Sequence, residues 1–336
     1  MKINLIAALF CGAVCSSAFS AEGESVNKNE DHNSPEMLTP VPIGLAALPT
    51  EPWKIQVGVM QETENTEGQG DKDGAYEPTV FINFSKGQWN LYGAFYQEDH
   101  NVDYSQDTRS DWFNQYEFDA HYQFADNDDY TLGLMLGFRN YQWKYNEDKK
   151  KDSGSYNTQR YTVQPDWSVS LSPNLKYNGW MALYNYYNNM DNNGYLNKEF
   201  EGETGLKYSF SGDVAIQVNY YLDRGWNTGD SQRGEFAKQE ARVYLPVSVD
   251  LFSSGKTVLT PYVRRTLDTY YYNDDRAERE GETDTRFGLL INQPLPAGFA
   301  ISLEYAYELQ LHDNIDASAN AKTKFHYTGV GLTYTF

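Results

Sequence analysis

From Trp53 to the end, segments of about ten residues alternate apolar with polar, each bounded by turn residues. Fourteen such segments occupy 53–64, 75–84, 89–99, 112–124, 130–143, 158–171, 175–187, 195–209, 214–224, 235–249, 257–271, 282–293, 299–311 and 322–336. A period of two means strands, with successive side chains on opposite faces. In the last segment Phe336, Tyr334, Leu332 and Val330 share one phase, while Thr335, Thr333, Gly331 and Gly329 hold the other. A final strand has no later segment to pair with, and only closure onto an earlier strand removes its open edge. An even count returns both ends to one rim and makes 322–336 the partner of 53–64. The expectation is an all-β, transmembrane antiparallel β-barrel of 14 strands wound as an up-and-down meander.

The connections alternate in length. Ser85-Lys86-Gly87-Gln88, 125–129, Ser172-Pro173-Asn174, Ser211-Gly212-Asp213 and 294–298 are short, whereas 67–74, 146–157, 226–234, 272–281 and 313–321 are long and charged. Short turns belong on the periplasmic side and long loops outside. The stretch 250–256 is somewhat long for its place.

Alternation alone fits a soluble sandwich or lipocalin-like barrel equally well, with the faces inverted. The strand count, a leader, the lack of cysteine in the mature chain and the terminal aromatic together decide against that. Lys2, the apolar run 3–14 and Ala18-Phe19-Ser20 before Ala21 make residues 1–20 a signal peptide, too short to cross as a helix. Both cysteines, Cys11 and Cys15, lie inside it, so the mature chain has no disulfide and no thiol chemistry; neither position has a lipoprotein-type context. No mature segment reaches the roughly 18 apolar residues of a membrane helix. Aromatic residues make up 15%, with 28 tyrosines, as interface girdles require. Residues 21–52 are polar and then Pro-rich and read as a flexible periplasmic extension, leaving 53–336 as the barrel.

The 47 acidic residues outnumber the 27 basic ones, which argues against a nucleic-acid partner. Phase assigns the inward positions. Acids fall at Glu62, Glu64, Glu77, Glu117, Asp119, Asp166, Glu201, Glu203, Asp223, Glu240, Asp268, Glu304 and Glu308. Bases fall at Arg139, Arg160, Lys176, Lys207, Arg242, Arg264 and Arg286, and His121 shares a stripe with Asp119 and Glu117. A wall with charges of both signs implies a water-filled lumen, because lipid-facing charges cost several kcal/mol. Mutual neutralisation stiffens such a wall; the acidic surplus adds a mild cation preference.

An outer-membrane hydrolase would need a nucleophile, a histidine and an acid at one spot. No serine stands in a nucleophile motif, and His121 is the best acid–base candidate; a pore-wall role suits it better. Asp71-Lys72-Asp73-Gly74 lacks the terminal glutamate of a calcium loop and reads as a turn, so no metal or cofactor is expected. Trp89, Trp112, Trp143, Trp167 and Trp180 could stack sugars, but girdle or wall packing is the simpler role.

Specific strings go further. GFRNY (137–141), PDW (165–167), ETGLKYSF (203–210), VNYYLDRG (218–225), TPY (260–262), SLEYAYE (302–308) and KFHYTGVG (324–331) occur in order along 53–336. Together they resemble the outer membrane protein G family of porins. The resemblance implies a monomeric general porin for ions, sugars and small oligosaccharides, and matches Arg139, Arg224, Arg242, Arg264 and Glu304 to barrel-strand positions. A dedicated oligosaccharide channel is the alternative, with a hydrolase or adhesin further off. The expected partners are outer-membrane lipid, small solutes and, through Phe336, the barrel-assembly machinery. The resemblance also implies acid closure by a histidine pair and the sixth external loop. Here the flanking segments 257–271 and 282–293 contain no histidine, so sharp acid gating is not expected. The loop 270–282 carries Asp274, Asp275, Arg276, Glu278, Arg279 and Glu280, whose salt-sensitive pairing could still let it flicker over the mouth.

Overall fold

A computed structural model describes residues 52–67, 75–100, 111–145, 154–188, 197–226, 235–272, 279–313 and 322–336. Its strands are β1 (Lys54–Thr66), β2 (Ala75–Lys86), β3 (Trp89–His100), β4 (Asp111–Asp126), β5 (Tyr130–Tyr145), β6 (Gly154–Ser172) and β7 (Leu175–Asn188). They continue as β8 (Lys198–Ser209), β9 (Ala215–Trp226), β10 (Phe236–Tyr244 and Val247–Phe252), β11 (Gly255–Tyr272), β12 (Arg279–Pro294), β13 (Phe299–Asp313) and β14 (Lys322–Thr335). Each pairs antiparallel with the next, and β14 returns to β1 from Gln56↔Thr335 to Thr66↔Phe325. The backbone N–H of Phe336 donates to the carbonyl of Ile55 at 2.9 Å, so the last residue fastens the seam. The sheet is a closed fourteen-stranded barrel without an edge.

Every alternating segment of the sequence corresponds to one strand, although β10 is interrupted. Pro246 has no N–H to give to a ladder. Its carbonyl nevertheless accepts from Ala215 at 3.1 Å, and Leu245 N–H donates to Pro261 at 3.0 Å, so the wall stays continuous. The expected long connection at 250–256 is instead a tight turn, because β10 runs on to Phe252, which pairs with Gly255. Only Ser253 and Ser254 lie between, and Gly255 takes a φ of 142°, which a side chain would resist. At the β4–β5 turn the Asn127 side chain accepts from the backbone N–H of Asp129 and Tyr130, both at 3.0 Å.

The short turns and the described chain ends share one rim. At the other rim the connections 68–74, 101–110, 146–153, 189–196, 227–234, 273–278 and 314–321 lie outside the described residues, as do the segments 1–20 and 21–51.

Strand β9 shows how the two faces differ. Ala215, Gln217, Asn219, Tyr221 and Asp223 are buried, while Val218 and Tyr220 between them are exposed. The same inversion holds around the wall: Val59, Phe118, Leu136, Leu183, Phe287 and Leu303 are exposed, whereas Glu62, Glu117, Arg139, Glu201 and Arg242 are buried. A soluble barrel would reverse this. Aromatic pairs band the outer face. Trp89–Tyr122 (4.7 Å between ring centroids), Phe299–Tyr334 (4.6 Å) and Tyr334–Phe336 (4.6 Å) mark the short-turn rim; Phe95–Tyr116 (5.3 Å) and Phe138–Tyr161 (5.2 Å) lie farther along the strands.

Candidate channel lumen

The inner face is built from side chains that alternate phase carries inward and register then brings together. On β4 and β5, Glu117 is directly opposite Arg139, whose Nε donates to Oε1 at 2.6 Å, and Gln115 donates to the other carboxylate oxygen at 3.3 Å. Asp119, two residues along the same phase, faces Tyr92 and Gly137 across its neighbouring strands. Arg160 follows Arg139 across the β5–β6 ladder and stacks on the Tyr184 ring, 4.1 Å from its centroid. Nearer the short turns, His121 and Asp166 meet at 2.8 Å above Gly133, where any Cβ would collide with both. That contact reaches from β4 over β5 to β6, so it holds a histidine in place against the wall.

Acids and tyrosines dominate β7–β9. Tyr184 donates to Glu201 at 2.7 Å, Tyr186 to Glu199 at 2.6 Å, and Tyr221 to Glu201 at 2.9 Å and Asp223 at 3.3 Å. Neutral hydroxyls thus donate to buried carboxylates without adding charge, although Asp223 Oδ1 is left without a partner. Arg242 of β10 closes the cluster: its Nη1 donates to Glu203 at 2.6 Å, its Nε to Glu240 at 2.7 Å, and its guanidinium lies 3.5 Å from the Tyr221 centroid.

Beyond β10, Lys238 bridges Glu240 at 3.1 Å and Asp284 at 2.9 Å. Arg264 lies between Arg242 and Arg286 in register, and Arg286 pairs with Glu308. Tyr262 donates to Glu304 at 2.5 Å and Tyr327 to Glu62, which faces Glu77 on β2. Glu64, half-buried, follows Glu62 on the same phase, and Lys176 and Lys207 oppose each other near the short-turn rim.

One inward assignment is corrected. The register steps from Glu240↔Thr266 to Gln239↔Asp268, which leaves Leu267 as an extra residue. This bulge reverses the phase and puts the exposed Asp268 on the outer face beside Gln239. Arg224 is likewise exposed on the outer phase of β9. Trp89 and Trp167 face outward in aromatic pairs, so neither can stack a solute inside; Trp180 faces inward against the Tyr184 cluster. The side chains of Trp112 and Trp143 lie outside the described residues. His326 stands on the outer face, 2.9 Å from the Tyr305 hydroxyl.

The loop expected to gate is shorter than 270–282. Arg279 and Glu280 begin β12, paired with Tyr272 and Tyr271, while Asp274, Asp275, Arg276 and Glu278 lie outside the described residues, as does Asp71-Lys72-Asp73-Gly74. Phase missed Glu199, Lys238 and Asp284, each two residues before an assigned position on the same strand. Carrying the alternation one step outward would have found all three.

The pattern of the Outer membrane protein G (OmpG) family matches residues 50–334. Outer membrane porin G of Escherichia coli (strain K12) is 44% identical over 288 residues, covering 84% of this chain and 91% of that protein. This chain belongs to the outer membrane protein G family. It is accordingly a porin of the bacterial outer membrane, a passive channel. Among solved structures, the CymD monoaromatic hydrocarbon channel has a similar barrel, with a TM-score of 0.52 at 9% identity over 84% of this chain and 88% of that one. At that identity the likeness concerns the fold alone.

Proposed function

We propose that this porin acts as a monomer that passes ions, sugars and small oligosaccharides without selecting one of them and without chemical turnover. The observation that carries the reading is the segregation of charge: carboxylates and guanidinium groups are on the inner face, and exposed Leu, Val and Phe side chains on the outer. Glu62, Glu77, Glu117, Arg139, Arg242, Arg264, Arg286 and Glu304 then line the water-filled path. His121 is committed to Asp166 and has no nucleophilic partner among the described residues, which favours a wall role over catalysis. Residues 1–20 direct secretion, 21–52 extend into the periplasm, and Phe336 serves recognition by the assembly machinery.

Single-channel recording in planar bilayers tests this reading. We expect steady conductance, a reversal potential shifted modestly toward the cation, and no saturable block by neutral oligosaccharides; saturable block would mark a dedicated sugar channel. Equal permeability of Na⁺ and Cl⁻ would contradict the cation preference. Between about pH 7 and pH 5.5, where histidine ordinarily titrates, we expect spontaneous flicker but no steep closing step.

A further inference from the structure

Across β10, β11 and β12 three arginines occupy directly opposed positions, Arg242↔Arg264↔Arg286. Opposed residues on one face have Cβ atoms about 5 Å apart, and like charges so placed repel. The two outer arginines are neutralised: Arg242 lies between Glu203 and Glu240, and Arg286 is bound to Glu308. Arg264 makes no ion pair among the described residues. Its Nε is buried without a hydrogen-bond partner, and so is the hydroxyl of neighbouring Tyr244. Leaving such donors unmet costs about 1–3 kcal/mol each, more for a charged group.

The surrounding groups do not supply the missing acceptor. Glu240, one strand away, already takes Arg242 and Lys238, and Glu304 takes the Tyr262 hydroxyl. The rings of Tyr244 and Tyr262, 5.8 Å apart, flank the guanidinium at 5.9 and 4.9 Å and hold it on the wall. Opposite Tyr262 stands Gly288, where any Cβ would enter the tyrosine ring. The glycine therefore lets that ring lie against the strand. Arg160, the other arginine with an unpartnered Nε, differs because the tyrosine it stacks on, Tyr184, gives its hydroxyl to Glu201, whereas the Tyr244 hydroxyl is unmet.

We propose that Arg264, with the Tyr244 hydroxyl, forms a binding subsite for the carboxylate of a solute in transit. A planar guanidinium matches a planar carboxylate, and the tyrosine adds one further donor. This rests on the lumen reading above, since the solute must enter the barrel. The result is a channel whose overall preference leans to cations but which retains acidic sugars briefly at one point.

The test records single channels of the full mature chain with D-galacturonate or D-galactose, which differ at the carboxylate. Galacturonate should cause brief blockades whose frequency saturates, and galactose should not. Arg264→Gln should shorten the dwell about tenfold, as loss of a charge-assisted partner predicts, and Tyr244→Phe should shorten it less. If Arg264→Gln fails to insert, Arg264→Lys and Tyr244→Phe carry the test, and unchanged dwell in both would overturn the subsite. A parent channel that conducts but responds alike to the two sugars would overturn it too. Absence of any conductance would instead refute the lumen reading itself.

Discussion

Glu117 and Phe118 are neighbours on β4, yet they meet opposite surroundings. Glu117 is 8% exposed and bound to Arg139; Phe118 is 61% exposed and touches no wall network. In a soluble protein that would be an inversion, with charge inside and a large aromatic outside. In a bilayer both placements are favourable, because lipid solvates the aromatic and the inner wall supplies counter-charges. The difference between two adjacent residues therefore carries the membrane assignment.

The two faces should fail differently when altered. Glu117→Ala removes the carboxylate that binds Arg139 beside Arg160, and loss of one partner from a buried pair costs about 3–5 kcal/mol. Urea unfolding from lipid vesicles should show this as the largest loss. Phe118→Arg puts a charge midway along a lipid-facing strand, and the same unfolding measurement should register about 2–4 kcal/mol. Lys324→Gln removes a pair with Glu67 in which both side chains are more than one-third exposed; its effect should stay below about 1 kcal/mol. If Phe118→Arg were as mild as Lys324→Gln, the outer face would not be in lipid.

Much of this was legible because alternation is local. The fourteen segments, the seam between the first and last strands, and the inward phase of Glu117, Arg139, Glu201 and Arg242 follow from period two and an even count. Asp268 was misplaced because nothing in Arg264-Arg265-Thr266-Leu267-Asp268 signals that Leu267 is an added residue; only its pairing with β10 shows it. The turn at Ser253-Ser254 was hidden because the alternating segment stops at Val249, whereas the strand itself continues through Asp250 and Leu251 to Phe252. Which charges meet was also beyond sequence, because Tyr184 with Glu201 and Arg242 with Glu203 are joined by register across strands. Phase alone left soluble and membrane barrels undecided; the strand count, the leader, the missing cysteines and the terminal aromatic decided between them, and the ordered strings then pointed to the family.

The most direct test of an inward polar and outward apolar wall uses two adjacent positions on β13. Ser302 lies on the inner phase and Leu303, 40% exposed, on the outer. The only cysteines, Cys11 and Cys15, fall in the expected leader, so Ser302→Cys and Leu303→Cys each introduce one thiol to the mature chain. A charged, water-soluble thiol reagent added during single-channel recording should reduce the current of Ser302→Cys in one step and leave Leu303→Cys unchanged. Current loss in Leu303→Cys with none in Ser302→Cys would contradict the assignment of the two faces.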